Sequence, residues 1–254
     1  MKTKYYRAYS LATIGLVFIL ALGCDKDEDN GNAYNFYQPG DGVTDIEGNE
    51  YRTVIIGSQE WMAENLKTTK YRNGEPIPTG LDNTAWDRTI NGAYAVYPHN
   101  QIEGLISVAD VLEAYGALYN WHAVRTGNLC PAGWRVPTDA DWTKLTGWIG
   151  GIIVAGGKLK SIRAVPDAHP RWENPNTGAT DDYGFLALPG GRRTWESFDG
   201  VGKGATWWST SQFITDGYVS DFAWTLIMGY NSEYIHRRIC EKQTGYSVRC
   251  LRGN

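Results

Sequence analysis

Cys130-Pro131-Ala132-Gly133-Trp134-Arg135-Val136-Pro137-Thr138-Asp139-Ala140-Asp141-Trp142 is the stretch whose reading decides the fold. It holds a cysteine, a short apolar strand and a helix start within one continuous run. Thr138 is a helix N-cap by its hydroxyl, which accepts from the first unpaired backbone N–H groups. Asp141, three residues on, stands where a capping box has its acid, and Asp139 adds negative charge to the first turn. Pro137 disfavours helical geometry in Val136, so the strand stops there. The spacing predicts a helix from 139 to about 149, with Trp142, Leu145 and Ile149 on one face. Gly150 and Gly151 end it, because glycine readily takes a left-handed conformation.

On the N-terminal side, residues 43–46, 50–56 and 59–62 read as strands separated by glycine turns at Gly48 and Gly57. Residues 71–77 carry an Asn-Gly pair suited to a tight hairpin, but Pro76 and Pro78 confine them to an edge or loop. Residues 93–97 are a further short strand. In 108–124 an approximate helical stripe is interrupted by Gly116, which favours a short helix at about 119–124. On the C-terminal side, residues 158–162 suit a strand or a turn. Residues 166–189 are rich in Pro, Asn, Gly and Asp and read as a long loop, a kind that is usually functional or disordered. Strands follow at 206–209, 222–228, 234–240 and 246–251. Many short strands, one firm helix and long loops make an α+β domain.

The N-terminus has a different character. Lys2, Lys4 and Arg7 precede an apolar core at 11–22 that is short for a membrane span, so residues 1–23 read as a signal peptide. The signal closes on Leu20-Ala21-Leu22-Gly23-Cys24, which resembles a bacterial lipobox with Ala21 in place of the usual larger apolar residue. Cys24 is then the lipid-attachment residue and the membrane is a partner through it. The alternative is an ordinary secretory signal in which Cys24 is incidental. Residues 24–40 form a tether whose acidic run Asp25-Lys26-Asp27-Glu28-Asp29-Asn30 is unable to pack a core. That run either solubilises the tether or resembles the acidic signal that sends lipoproteins to the outer face of the outer membrane. With residues 1–23 removed, 24 basic residues fall by three to 21 against 28 acidic ones, a net charge of −7. This balance argues against nucleic acid as a partner. The remaining residues, 41–254, are in the size range of one domain.

Six blocks of this domain together resemble one family. They include Tyr115-Gly116-Ala117-Leu118-Tyr119-Asn120-Trp121, the run from Cys130 to Trp142, Pro175-Asn176-Thr177-Gly178-Ala179-Thr180, Leu188-Pro189-Gly190-Gly191, Trp207-Trp208-Ser209 and Gly245-Tyr246-Ser247-Val248-Arg249-Cys250. Their order and spacing over residues 41–252 are similar to the major paralogous domain family abbreviated FISUMP, found in surface lipoproteins. More distantly, the capped helix with its tryptophan and the C-terminal strand with its cysteine resemble C-type-lectin-like folds, the scaffold that formylglycine-generating enzymes share. The resemblance implies location and a lectin-like α+β fold; it implies no reaction. Three cysteines, Cys130, Cys240 and Cys250, remain for an exported domain in which disulfides are allowed. A hairpin turning near Gln243 keeps Cys240 and Cys250 beyond the ~7 Å that a bridge tolerates. Cys130–Cys250 matches the whole-domain bridge of lectin-like folds; buried free thiols are the alternative.

Chemical signals are sparse. His236 and Cys240 share a strand face at a separation of roughly 13 Å, too far to act together. His99, His122, His169 and His236 stand at no metal-ligand spacing, and Asp181-Asp182, although oxygen-bearing, lack the triplets of calcium-dependent sugar-binding lectins. No catalytic residue, metal or cofactor is assigned. The composition has 11 Trp and 16 Tyr against 6 Phe, which favours aromatic side chains with a polar handle. Trp134, Trp142, Trp207 and Trp224 read as core. Trp172 and Trp195 lie in loop sequence beside charged residues, and with Asp181, Asp182, Arg192 and Arg193 they form the expected ligand-binding set. The leading expectation is a non-catalytic binding module for a glycan or another surface ligand. A structural or adhesive surface protein, or a divergent enzyme on the same scaffold, are the alternatives.

Overall fold

Short runs containing β-branched and aromatic residues in the first part of the domain give four short strands, β1 (Val43–Thr44), β2 (Glu50–Tyr51), β3 (Thr53–Ile56) and β4 (Gln59–Met62). The computed structural model describes residues 37–253, so the signal peptide, Cys24 and residues 24–36 of the tether lie outside the described residues. Residues 38–40 already pair beside β3: Ile55 donates to the Gln38 carbonyl and Gly40 to that of Thr53. Packed structure therefore begins before residue 41.

The chain continues through α1 (Asn83–Arg88), β5 (Tyr94–Ala95), a 3₁₀ turn at His99–Gln101 and α2 (Val108–Tyr115). Gly116 then ends α2, β6 (Leu118–Tyr119) follows, and α3 (Trp121–Val124) is capped by Asn120. The helix expected at 119–124 is thus shorter, and a longer one precedes it. Ser107 is the missed signal: its hydroxyl accepts from Asp110 N–H at 3.1 Å and starts α2.

After β7 (Trp134–Arg135), α4 (Asp139–Ile149) forms as its sequence dictates. Thr138 and Asp141 make the reciprocal capping box, and Gly150 takes a left-handed φ of 112° at the C-cap. A second helix, α5 (Ile152–Leu159), occupies residues read above as partly strand or turn. Its paired glycines obscured it, since each weakens a helix in water. Here they permit contact: a Cβ on Gly156 would lie 2.6 Å from the Glu233 carbonyl oxygen, and one on Gly157 would lie 2.3 Å from that of Gly178.

The C-terminal half adds β8 (Gly190–Arg193), β9 (Phe198–Val201), β10 (Gly204–Thr215), β11 (Tyr218–Gly229), β12 (Ile235–Glu241) and β13 (Leu251–Arg252). Strands β10, β11 and β12 form an antiparallel meander, while the last strand, β13, enters the middle of a four-stranded sheet ordered β3-β4-β13-β7. The fold is α+β and its paired strands are antiparallel throughout.

Neighbours Trp207 and Trp208 show how the core is divided. Strand alternation sends them to opposite faces of β10, and both faces are covered. Trp207 joins Trp61, Trp142, Phe185 and Leu226 in one cluster; Trp208 joins Tyr119, Trp121, Tyr246 and Val248 in another. Each buried indole N–H needs an acceptor. Trp207 donates to Asn65 Oδ1 and Trp208 to the Tyr119 carbonyl, both at 2.8 Å. Trp134, Trp142 and Trp207 are core as expected, whereas Trp224 is only half-buried, between Phe213 and Arg237.

The long loop at 166–189 is pinned from inside. Lys160, fully buried, donates from Nζ to the carbonyls of Thr177 (2.8 Å), Ser232 (2.9 Å) and Gly229 (3.2 Å), and stacks over the Trp172 ring. Burial pulls its pKa down to about 8, against the opposing pull of the Glu233 carboxylate. Two of the Lys160 contacts, the Thr177 carbonyl and the Trp172 ring, tie the loop to the end of α5.

Candidate functional site

The β8–β9 hairpin builds the most ligand-like surface among the expected residues. Its tip is tight: Thr194 N–H and Oγ1 donate to the Ser197 carbonyl, and Ser197 N–H donates back to Thr194 Oγ1 at 3.1 Å. This turn presents Trp195, which is 55% exposed, together with Glu196. Below the tip, Arg192 forks onto Asp199 with contacts of 2.8 and 3.1 Å, tying the two strands together. That bidentate contact holds the Arg192 guanidinium above its ordinary pKa.

Arg193 faces the other way. It is 5% exposed, its guanidinium lies 4.7 Å from the Phe198 ring and 5.6 Å from Trp86, and it donates to Asn83 Oδ1 at 2.7 Å. Asn83 Nδ2 in turn donates to the Glu196 carbonyl at 2.7 Å, which fastens the tip to the start of α1. Between these elements is an open depression of about 640 Å³ lined by Asn83, Gln101, Arg193, Glu196, Ser197 and Phe198. It offers amide, hydroxyl and carboxylate groups, and Trp195 directly precedes its lining residue Glu196.

Three of the six expected ligand residues lie on this hairpin, Arg192 and Arg193 on opposite faces of β8 and Trp195 at the tip, and three are placed elsewhere. Trp172 is fully buried, with its indole N–H donating to the Ala187 carbonyl at 2.9 Å. It supports the loop and has no surface to offer a ligand. Asp181 accepts the Leu186 N–H at 2.9 Å from a left-handed φ of 48° and so holds a turn. Burial raises its pKa to about 6, against the pull of the Leu186 N–H and of Arg249. Asp182, beside it, is half-buried. Composition concealed these roles, because loop-like sequence gives no sign of which side chains turn inward.

Asn83 and Gln101 escaped the sequence reading. The signal for Asn83 was available: Asp82 is an N-cap whose carboxylate accepts from Ala85 N–H at 2.8 Å, and α1 follows from it. For Gln101, in a 3₁₀ turn far along the chain, no local signal exists.

A family model described as the Fibrobacter succinogenes major domain matches residues 54–252. The chain belongs to that family. Neither a curated protein nor a solved structure matches it. The matched span of this major domain runs from β3 to β13, the first and last strands of the four-stranded sheet, and contains the whole β8–β9 hairpin. It also contains Cys130 and Cys250, which are bridged with a Cα–Cα distance of 6.0 Å, while Cys240 is free.

Proposed function

We propose that this domain is a non-catalytic binding module for glycans at the cell surface, on a C-type-lectin-like scaffold, with the β8–β9 hairpin and α1 forming the site. The exposed Trp195 at a hydrogen-bond-fixed tip carries this reading. A sugar ring has an apolar C–H face that stacks on an indole, and its hydroxyls pair with the amide and charged groups of the adjoining depression. A rigid scaffold presenting ligand groups from a turn is a common arrangement for recognition. On a glycan array, Trp195→Ala is expected to weaken binding of any captured glycan by roughly three- to tenfold, the worth of one aromatic stack. Undiminished binding by that variant would remove the site.

One observation favours a second reading, a structural or adhesive surface protein. The outer end of the β10–β11 hairpin exposes Ile214, Tyr218, Val219 and Phe222 together. Apolar side chains at a projecting hairpin suit self-association. Capture of no glycan, with concentration-dependent association in light scattering, would make this the better account.

The surface location rests on the sequence: the lipobox-like run ends at Cys24 and an acidic tether follows. Lipid attachment at Cys24 anchors the domain to the membrane, and the acidic run after it is the signal for the outer face of the outer membrane. Cys24→Ala is expected to move the protein from the membrane fraction to the soluble fraction. Retention of the variant in the membrane would refute attachment at that residue.

A further inference from the structure

A second surface, on α4 and the β3–β4 turn, combines features that the hairpin site does not use. A cavity of about 300 Å³ lies there, lined by Ser58, Gln59, Glu60, Arg135, Lys144 and Arg252 among others. Its carboxylates are already engaged. Asp141 accepts from Arg135 at 2.7 and 3.0 Å and from Thr138, and Glu60 accepts from Arg252 at 2.6 Å and from Thr53 at 2.8 Å. Lys144 is exposed and, among the described residues, forms no ion pair. Arg135 and Arg252 are thus taken up by the two acids, and Lys144 is the cation left over.

Gln59 supplies an independent sign of a ligand. It is 6% exposed, its Nε2 donates to the Asp141 carbonyl at 3.2 Å, and its Oε1 has no partner. A buried acceptor without a donor is costly; this oxygen is itself covered, so a ligand hydroxyl in the cavity supplies the donor once the Gln59 side chain turns toward it.

Trp148 completes the arrangement. It follows Lys144 by four residues and so lies one turn along the same face of α4. Its ring rests on Gly57, where a Cβ would come 2.9 Å from Cδ2, so no larger residue fits beneath it. With one side braced on that turn, the indole is still 66% exposed. Gly57 directly precedes Ser58 of the cavity wall, which places the ring at the cavity's edge.

We propose that this surface is a separate binding site for an acidic saccharide, a pyranose ring bearing a carboxylate. The ring's C–H face stacks on Trp148, the carboxylate meets Lys144 with Arg135 beside it, and a ring hydroxyl donates to Gln59. A neutral sugar leaves the Lys144 charge unused. A phosphate has neither an apolar face for Trp148 nor, when fully ionised, a proton for Gln59.

Titration calorimetry of the full chain tests the proposal with trigalacturonate and, as the neutral comparison, maltotriose. Trigalacturonate is expected to bind more tightly than maltotriose, and more weakly as salt rises. Trp148→Ala is expected to weaken trigalacturonate binding by roughly three- to tenfold. Lys144→Gln should weaken it by about two- to fivefold and narrow the gap between the two sugars. Both side chains are exposed, so an unchanged melting temperature will confirm that the variants fold. In a Trp195→Ala background the losses from Trp148→Ala and Lys144→Gln should persist in full, which separates this site from the hairpin site. No trigalacturonate binding, equal affinity for maltotriose, or full affinity in the Trp148 and Lys144 variants would overturn it.

Discussion

Replacing Cys130 and Cys250 together by alanine is expected to lower the unfolding free energy by about 4–5 kcal/mol in the chain-entropy account of a bridge that closes a very long loop. The sequence separation is 120 residues, and both sulfurs lie inside the cluster that holds Trp208 and Val248. The bridge also has a topological task. Cys250 immediately precedes β13, the strand inserted between β4 and β7, and Leu251 pairs with both Trp61 and Arg135. Two hydrogen bonds from β4 and the residues after it, Met62 N–H to the Cys250 carbonyl (3.0 Å) and Leu66 N–H to that of Val248 (2.8 Å), complete the seam. Without the bridge, a C-terminal strand must find the centre of a sheet whose other strands lie more than a hundred residues earlier, at full loop-closure cost. Urea unfolding of the double variant, compared with the parent in the presence and absence of reductant, measures the loss. Cys240→Ser should change little, because that thiol is unbridged and sits beside Thr225 Oγ1 at 3.4 Å. A loss below about 1 kcal/mol in the double variant would show that the bridge contributes far less than the entropy account requires.

The legible parts of this chain were those that local chemistry decides. The capping box of Thr138 and Asp141, the glycine stop at Gly150 and the strand–turn–strand run through Gly48 and Gly57 depend on neighbours within a few residues. Helices α2 and α5 were less legible because Gly116, Gly156 and Gly157 broke the periodic pattern. Those glycines answer to close approach instead, Gly116 against the Leu66 carbonyl and α5 against Glu233 and Gly178. The site was half legible. Arg192, Arg193 and Trp195 share a hairpin, so their proximity follows from sequence adjacency. Trp172 and Trp195 look alike in sequence, both loop-borne and flanked by charge, yet one is the floor of a core and the other a surface tip. What separates them is Lys160, a cation buried over the Trp172 ring by contacts with residues up to 72 positions away. No window on the sequence contains that information.

Arg249→Met is expected to destabilise the fold by about 3 kcal/mol or more, and by more near pH 8 than near pH 5. Arg249 is fully buried, its guanidinium lies 4.1 Å from the Phe185 ring, and it donates to the Phe185 and Leu186 carbonyls and to Asn65 Oδ1. Burial lowers its pKa to about 9, which leaves it charged at neutral pH. Removing it strips donors from the buried Phe185 carbonyl and the half-buried Leu186 carbonyl; Asn65 Oδ1 keeps the Trp207 indole N–H. The pH dependence comes from Asp181. Its folded pKa of about 6 lies above the ordinary 3.8, so between those values the folded state holds a proton that the unfolded state has released. Its contribution to stability therefore falls as pH rises through that window and is level above it. The Arg249 charge favours the Asp181 carboxylate, so its loss raises that pKa further and extends the fall beyond pH 6. Near pH 5 Asp181 is protonated in both proteins and the difference reflects the lost hydrogen bonds. Near pH 8 the variant also carries a largely buried carboxylate without the Arg249 charge that favours it. Asp181→Asn in the Arg249→Met background should remove the extra loss, since asparagine tolerates the left-handed backbone and keeps the oxygen that accepts from Leu186. Denaturant titrations of parent, single and double variants at the two pH values decide it: an equal loss at both, or a larger one near pH 5, would mean that Arg249 and Asp181 are not coupled.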